Sequence, residues 1–257
     1  MEMNLTIRHT ANAGVLINIG RNSLGVDLFS RDPEGLYPDT PAQLKAELLD
    51  EIERGHIEAL LFTHGHGDHF CPEDAAEALK RNPNLAVIST DEVIGLLRAA
   101  APLGKRLYAV SSKEKGNVRI QFPEGSLELF NSRHMGEAYA GVQNLVFMLN
   151  VNGKQIVIPG DAWPDPELFA RIGAWSPKPE VFIAPFPLIG LPSNRKMIKK
   201  YLKPVHILAL HLPRPEMDEQ NWAASAKSVC ERTEDGLPMP DFGEILGKEY
   251  HYYSHFL

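Results

Sequence analysis

Residues 63–69 of the chain read Thr-His-Gly-His-Gly-Asp-His, directly after the apolar run Leu60-Leu61-Phe62 and shortly before Pro72. The apolar run predicts a buried strand and the proline predicts a helix start, so the segment is predicted to be a strand-to-helix loop. In an extended backbone His64 and His66 point the same way. The loop contains three imidazoles and one carboxylate, those of His64, His66, His69 and Asp68. Each needs a polar partner when it is buried, and one or two divalent metal ions would satisfy all four. The alternative is a polar surface loop with incidental histidines.

Around this loop, short apolar runs alternate with patterns of helical periodicity. Strands are predicted over Leu5–Arg8, Val15–Ile19 and Ser23–Asp27, and Asn152-Gly153 between two apolar runs predicts a hairpin. Strand clusters with helices between them indicate layered sheets flanked by helices, and no linker or repeat divides residues 1–257, so we expect one domain. The predicted helices cover residues 41–54, 72–80, 91–100, 166–172, 195–201 and 218–231.

Composition excludes several classes of protein. The 257 residues contain 26 Lys and Arg against 33 Asp and Glu, a net charge of −7, which argues against a nucleic-acid partner. Cys71 and Cys230 are too few for a disulfide scaffold or a four-cysteine zinc site. The N-terminus lacks a signal-peptide pattern, and no apolar run approaches the roughly 20 residues needed to span a bilayer. We therefore expect a cytoplasmic protein that does not contact membranes.

The loop resembles the HxHxDH signature of the metallo-β-lactamase superfamily. Members of that family have an α/β fold, a four-layer αββα sandwich, with one or two metal ions at the edge of the sheets. Their remaining ligands are a His, an Asp and a His, each just after a strand. His134, Asp161 and His211 occur in that order, after the runs SLELFNSR, QIVIPG and VHILAL. Taken singly, each could instead be a surface histidine or a turn-forming aspartate.

The resemblance also implies how the ligands divide between two ions, most simply Zn, with Mn or Fe as alternatives for nitrogen and oxygen ligands. His206 is the alternative to His211 as the last metal ligand. However, His206 stands at the start of its strand, whereas the family's ligand follows the strand's end. By resemblance, His64, His66 and His134 hold one ion, Asp68, His69 and His211 hold the second, and Asp161 bridges the two.

The implied activity is that of a metal-dependent hydrolase, in which a metal-bound hydroxide cleaves a small ester, lactone or phosphodiester. Asp68 and Asp161 would be its catalytic carboxylates, and Asp68 could pass a proton to the leaving group. Residues 7–29 resemble the L-ascorbate-6-phosphate lactonase-like branch of the superfamily. The alternatives are a non-catalytic metal-binding or sensing protein with the same fold, and a nuclease-type phosphodiesterase.

Three further residues are candidates for supporting or substrate-binding roles. Asp27 ends an early strand and matches an Asp common in the superfamily, so it would orient the motif loop, although a surface Asp is the alternative. His9 is a candidate for a substrate pocket, and Arg214 for contact with an anionic substrate. Arg195 could do the same or be a solvated surface charge. The aromatic tail, residues 250–256, is too apolar for a free terminus, so we expect it to pack on the domain or on a second subunit of a homo-oligomer.

Overall fold

The computed structural model describes residues 5–19, 22–100, 106–114, 116–122 and 125–252. The chain divides into two compact units: unit 1 is Met1–Lys113 together with Ile245–Leu257, and unit 2 is Glu114–Glu244. Each unit contains one seven-stranded sheet. The prediction that the chain forms one domain stays a prediction.

Unit 1 begins with a meander of three strands, after which helices and strands alternate. The first three strands and the C-terminal strand pair antiparallel, whereas the later strands pair parallel. The strand order in the sheet is β14-β1-β2-β3-β4-β5-β6. The elements are β1 (Leu5–His9), β2 (Val15–Ile19), β3 (Asn22–Val26), α1 (Ala42–Glu53), β4 (Ile57–Leu61), α2 (Pro72–Arg81), β5 (Ala86–Thr90), α3 (Asp91–Ala100), β6 (Leu107–Val110) and β14 (Glu249–Tyr252).

The three helices of unit 1 bury their apolar stripes against its sheet. In α1 the buried positions Leu44, Leu48 and Ile52 recur at helical spacing, and they join one core cluster with Leu60 of β4 and Val87 of β5. Burial of each such side chain contributes about 1.5–3 kcal/mol to folding. This packing fixes the carboxyl end of β4, from which the His-rich loop leaves.

Unit 2 repeats the same plan of antiparallel strands followed by parallel strands. Its strand order is β13-β12-β11-β10-β9-β8-β7, with β7 to β10 antiparallel and β10 to β13 parallel. The elements are β7 (Asn117–Phe122), β8 (Gly125–Arg133), a 3-10 helix (Glu137–Tyr139), β9 (Gln143–Val151), β10 (Lys154–Ile158), α4 (Pro166–Trp175), β11 (Val181–Pro185), α5 (Phe186–Ile189), α6 (Pro192–Tyr201), β12 (His206–Leu210), α7 (Trp222–Arg232) and β13 (Asp241–Phe242).

The Asn-Gly hairpin predicted from the sequence is confirmed between β9 and β10. Val151 pairs with Lys154, so the loop has two residues. Asn152 and Gly153 have φ of 52° and 81°. Positive φ at both central positions is the requirement of the two-residue turn whose twist matches that of paired strands.

Residues 250–252 of the aromatic tail belong to the last strand of unit 1, β14. β14 pairs antiparallel with β1, and Tyr250 and Tyr252 are buried. This part of the tail therefore packs on its own chain, as one of the two alternatives predicted. Tyr253 and Phe256 lie outside the described residues. No helix in the described part of the chain is long and apolar enough to cross a membrane.

Candidate metal centre

The His-rich loop of unit 1, residues 63–69, is hydrogen-bonded to the segment that follows β3. Arg31 N–H donates to the Gly67 carbonyl at 2.7 Å, and Cys71 N–H donates to the Phe29 carbonyl at 2.8 Å. A Cβ on Gly67 would lie 2.7 Å from the Arg31 carbonyl oxygen, a distance that real Cβ atoms do not adopt. The glycine is therefore required by the close approach of two backbones.

Asp27 directly follows β3 and contacts both ends of the loop, and its role in orienting the loop stays a prediction. Its side chain is 1% exposed, and its backbone has a φ of 47°. Oδ1 accepts from Thr63 N–H at 2.8 Å, while Oδ2 accepts from the Thr63 hydroxyl at 2.7 Å and lies 2.8 Å from His69 Nδ1. One buried carboxylate thus fixes both the backbone at the start of the loop and the imidazole at its end.

These contacts decide which ring nitrogen carries the proton. The single Thr63 hydroxyl hydrogen goes to Asp27, so Thr63 Oγ1 accepts from His64 Nδ1, which lies 3.0 Å away. His69 Nδ1 likewise donates to the carboxylate of Asp27. Both imidazoles therefore keep the lone pair on Nε2, which is the form that binds a metal ion.

The donor atoms of this loop lie close together in two pairs. His64 Nε2 is 3.2 Å from His66 Nδ1, and His69 Nε2 is 3.7 Å from Asp68 Oδ2. His64 and His69 are fully buried, and their rings are 4.1 Å apart between centroids. The His-rich loop of unit 1 therefore brings together two pairs of side chains of the types that bind metal ions.

In unit 2 the predicted ligands His134, Asp161 and His211 also come together. Asp161 Oδ2 lies 3.3 Å from His134 Nε2 and 3.3 Å from His211 Nε2. The three residues are 4%, 6% and 4% exposed, respectively. His134 Nδ1 bonds the Met135 carbonyl, which leaves the Nε2 lone pair for a metal ion. One carboxylate oxygen of Asp161 thus lies 3.3 Å from a nitrogen of each of the two imidazoles.

Asn144 supports Asp161 and was not predicted from the sequence. Its Oδ1 accepts from Asp161 N–H at 3.0 Å, and its Nδ2 donates to the Pro159 carbonyl at 2.8 Å. Asn144 is fully buried in β9, directly before the apolar run Leu145–Leu149. A polar side chain in a buried strand needs a partner, and this is the signal that could have identified it.

The remaining sequence candidates lie in different surroundings. His9 is 2% exposed, and burial lowers the pKa of its imidazole despite backbone carbonyl contacts that raise it. Arg214 is partly buried three residues after His211. The substrate roles of both stay predictions. Arg195 is neither a rim residue nor a solvated charge, because it is 1% exposed and pairs with Asp235 through Nε at 2.6 Å.

Comparison with known proteins identifies the fold. The sequence matches no protein-family model, and no curated protein is significantly similar to it. The metallo-beta-lactamase fold protein YhfI from Bacillus subtilis superposes with a TM-score of 0.65 at 13% identity, over 98% of this chain and 100% of that protein. The chain has the metallo-β-lactamase fold.

Two further solved structures agree with this fold over nearly their whole length. A possible metal-dependent hydrolase from Veillonella parvula DSM 2008 has a TM-score of 0.68 at 14% identity, covering 97% of this chain and 99% of that one. An isothiocyanate hydrolase from Delia radicum gut bacteria has a TM-score of 0.67 at 14% identity, covering 99% and 100%. The predicted fold class is thereby confirmed.

Proposed function

We propose that this chain is a metal-dependent hydrolase that binds two divalent ions through His and Asp residues. The proposal rests on the donor atoms within each unit and on the shared fold. Zinc is the ion that nitrogen and oxygen donors of this kind favour, and Mn and Fe are compatible with them. The proposed ligands are His64, His66, Asp68, His69, His134, Asp161 and His211.

The observation that carries the proposal is the set of hydrogen-bond partners of the imidazole Nδ1 atoms. Asp27 and Thr63 hold the Nδ1 atoms of His69 and His64, and the Met135 carbonyl holds Nδ1 of His134. A histidine that only fills a core can use either nitrogen as a donor. Three buried histidines that all keep Nε2 for an acceptor role indicate ligands that are oriented in advance.

When bound, the metal ions would supply Lewis acidity and a water molecule with a pKa lowered to about 7. Asp161 would offset the repulsion between two cations, because its Oδ2 lies 3.3 Å from imidazoles on both sides. Asp68 would hold a proton for the leaving group, since its side chain is 15% exposed whereas that of His69 is fully buried. Arg214 would bind an anionic group of the substrate.

The proposed substrate class is a small ester, lactone or phosphodiester, in keeping with the resemblance of residues 7–29 to the ascorbate-6-phosphate lactonase-like branch. The acidic chain makes a nucleic-acid substrate an unfavourable choice. The solved isothiocyanate hydrolase adds one more electrophile that deserves a place among the test compounds.

The experiment is a substrate panel on protein stripped with a chelator and reloaded with Zn²⁺, Mn²⁺ or Fe²⁺. The panel contains a simple lactone, a p-nitrophenyl ester, bis(p-nitrophenyl) phosphate and an isothiocyanate. We expect about two bound ions per chain and turnover that chelation abolishes. His66→Ala should lose both properties, whereas His56→Ala, which changes an exposed histidine of the same unit, should keep them. Two bound ions without turnover of any compound would favour the sensing protein instead, and failure to bind metal would overturn the proposal.

A further inference from the structure

Asn12 is a buried residue in the turn between β1 and β2 that reaches the His-rich loop. Its Nδ2 donates to Asp68 Oδ2 at 3.1 Å and to the Asp68 carbonyl at 3.2 Å. Asn12 is 1% exposed. One amide group therefore contacts both the carboxylate and the peptide of a proposed metal ligand, 56 residues away in sequence.

The turn that carries Asn12 is itself rigidly held. Thr10 N–H donates to the Gly14 carbonyl at 2.8 Å, and Asn12 N–H donates to the Pro38 carbonyl at 3.1 Å. A Cβ on Gly14 would lie 2.5 Å from the Asp27 carbonyl oxygen, so the turn sits directly against the residue that supports His69. His9 Nε2 lies 3.2 Å from the Asn12 carbonyl oxygen. Contacts at its N–H and at its carbonyl oxygen thus fix the backbone of Asn12, from which the side-chain amide extends to Asp68.

The environment of Asn12 indicates that the NH₂ group of its amide, and not the amide oxygen, is the part that makes hydrogen bonds. Within the described part of the chain, its Oδ1 is buried and has no hydrogen-bond partner. A buried acceptor left without a partner destabilises the fold, so a position with only a packing role would favour an apolar side chain. The two hydrogen bonds from Nδ2 to Asp68 offset the cost of burying Oδ1 without a partner.

We infer that Asn12 is a positioning residue that holds the Asp68 carboxylate in its metal-binding orientation. The inference rests on the proposed function, because it concerns a ligand of the proposed metal centre. A hydrogen bond to Oδ2 stabilises the charged carboxylate and selects one rotamer, beside His69 Nε2 at 3.7 Å. The ion held by Asp68 and His69 should therefore depend on Asn12, whereas the ion held by His64 and His66 should not.

The test compares Asn12→Ala and Asn12→Asp with Asn82→Ala, a matched control in the same unit. Asn82 also donates through Nδ2 to a backbone carbonyl, that of Ile52 at 2.9 Å, but has no contact with the loop. Zinc affinity is measured by competition with a chromophoric chelator, and the second ion is followed by the visible spectrum of Co²⁺. We expect the ion held by Asp68 and His69 to bind about 10- to 100-fold less tightly in Asn12→Ala, with the ion held by His64 and His66 unchanged. Asn12→Asp should lose more, because it places a carboxylate oxygen where the amide nitrogen stood, 3.1 Å from Asp68 Oδ2.

Wild-type affinity for both ions in Asn12→Ala would overturn the inference, and so would an equal loss at both sites. If Asn12→Ala does not fold, the nearly isosteric Asn12→Asp decides in the same titration. A crystal structure of each metal-free variant supplies a readout that does not require metal binding. There the Asp68 carboxylate should occupy several rotamers in the Asn12 variants and one rotamer in the wild type and in Asn82→Ala. If the wild-type protein binds no metal, the proposed function fails, while this rotamer comparison still decides the role of Asn12.

Discussion

Replacing Asp27 by Asn tests how far the His-rich loop depends on one buried carboxylate. Oδ1 of Asp27 accepts from Thr63 N–H at 2.8 Å, and an amide oxygen can keep that bond. An NH₂ group in place of Oδ2 would face the Thr63 hydroxyl and His69 Nδ1, both of which now donate. To avoid two opposed donors, the His69 ring must move its proton to Nε2, which removes the lone pair that would bind metal.

The magnitude follows from the bonds that the substitution breaks. Asp27→Asn loses two hydrogen bonds to a charged acceptor, each worth about 1.5–3 kcal/mol, so the lower end of the range gives a destabilisation of about 3 kcal/mol. Rotation of the Thr63 hydroxyl towards another acceptor would reduce this value. Metal affinity should fall at least 10- to 100-fold, as for other residues that orient a metal-binding histidine.

The assay pairs urea denaturation of the metal-free protein with a zinc titration. Asp32→Asn is the matched control, because both carboxylate oxygens of Asp32 likewise accept hydrogen bonds, here from the backbone N–H groups of Glu34 and Tyr37, and none of its hydrogen bonds in the described part of the chain reaches a proposed ligand. We expect Asp32→Asn to retain zinc affinity. Unchanged affinity in a folded Asp27→Asn protein would refute the tautomer argument, even if the protein were destabilised.

Three other predictions concern single residues. Asp161→Ala should fold but lose one of two metal ions, and its turnover should fall more than about 100-fold, because Oδ2 lies 3.3 Å from the Nε2 atoms of both His134 and His211. Elemental analysis and steady-state kinetics measure the two losses. His211→Ala should lose the second ion, whereas His206→Ala, at the opposite end of β12, should bind metal normally; the reverse result would mean that the strand is wrongly placed. Because burial lowers the pKa of His9 below its usual 6.5, the unfolded chain binds the extra proton and stability should fall as the pH drops below 6.5. His9→Gln should show a shallower loss in urea denaturation between pH 7.5 and 5.5, and an equal loss would show that other groups control the acid response.

Much of the fold could be predicted because its elements carry local signals. Helix Asp91–Ala100 begins and ends where the sequence indicates, and helix Pro72–Arg81 extends one residue beyond the prediction. Strands β6 and β13 were not predicted, because they have four and two residues and lack a hydrophobic alternation long enough to detect. Strand order depends on pairing between distant segments, which no local pattern records.

The proposed ligands have a clearer signal in the sequence than the residues that orient them. A ligand set has a fixed chemical type and a recognisable spacing along the chain, so residues 64–69 alone indicate a metal site. The supporting residues act over 56 positions in the case of Asn12 and 17 in the case of Asn144. Arg195 was misread for the same reason, because its partner Asp235 lies 40 residues away. Only the fold brings such pairs together.

Two residues of the proposed metal site have a strained backbone conformation. Five non-glycine residues in the described chain have positive φ: Asp27, Asn152, Lys203, His211 and Asn221. Asn tolerates this conformation in turns, so Asn152 and Asn221 have a local explanation. Asp27 and His211 instead stand directly after parallel strands, at φ of 47° and 64°, where an extended residue would continue the strand. A conformation that costs free energy persists when its surroundings determine it, and in both units those surroundings are the buried His and Asp groups. The strained turn at Asp27 directs its side chain to His69, and the strained turn at His211 directs its ring to Asp161, so that each strain places a residue that the proposed metal site would use.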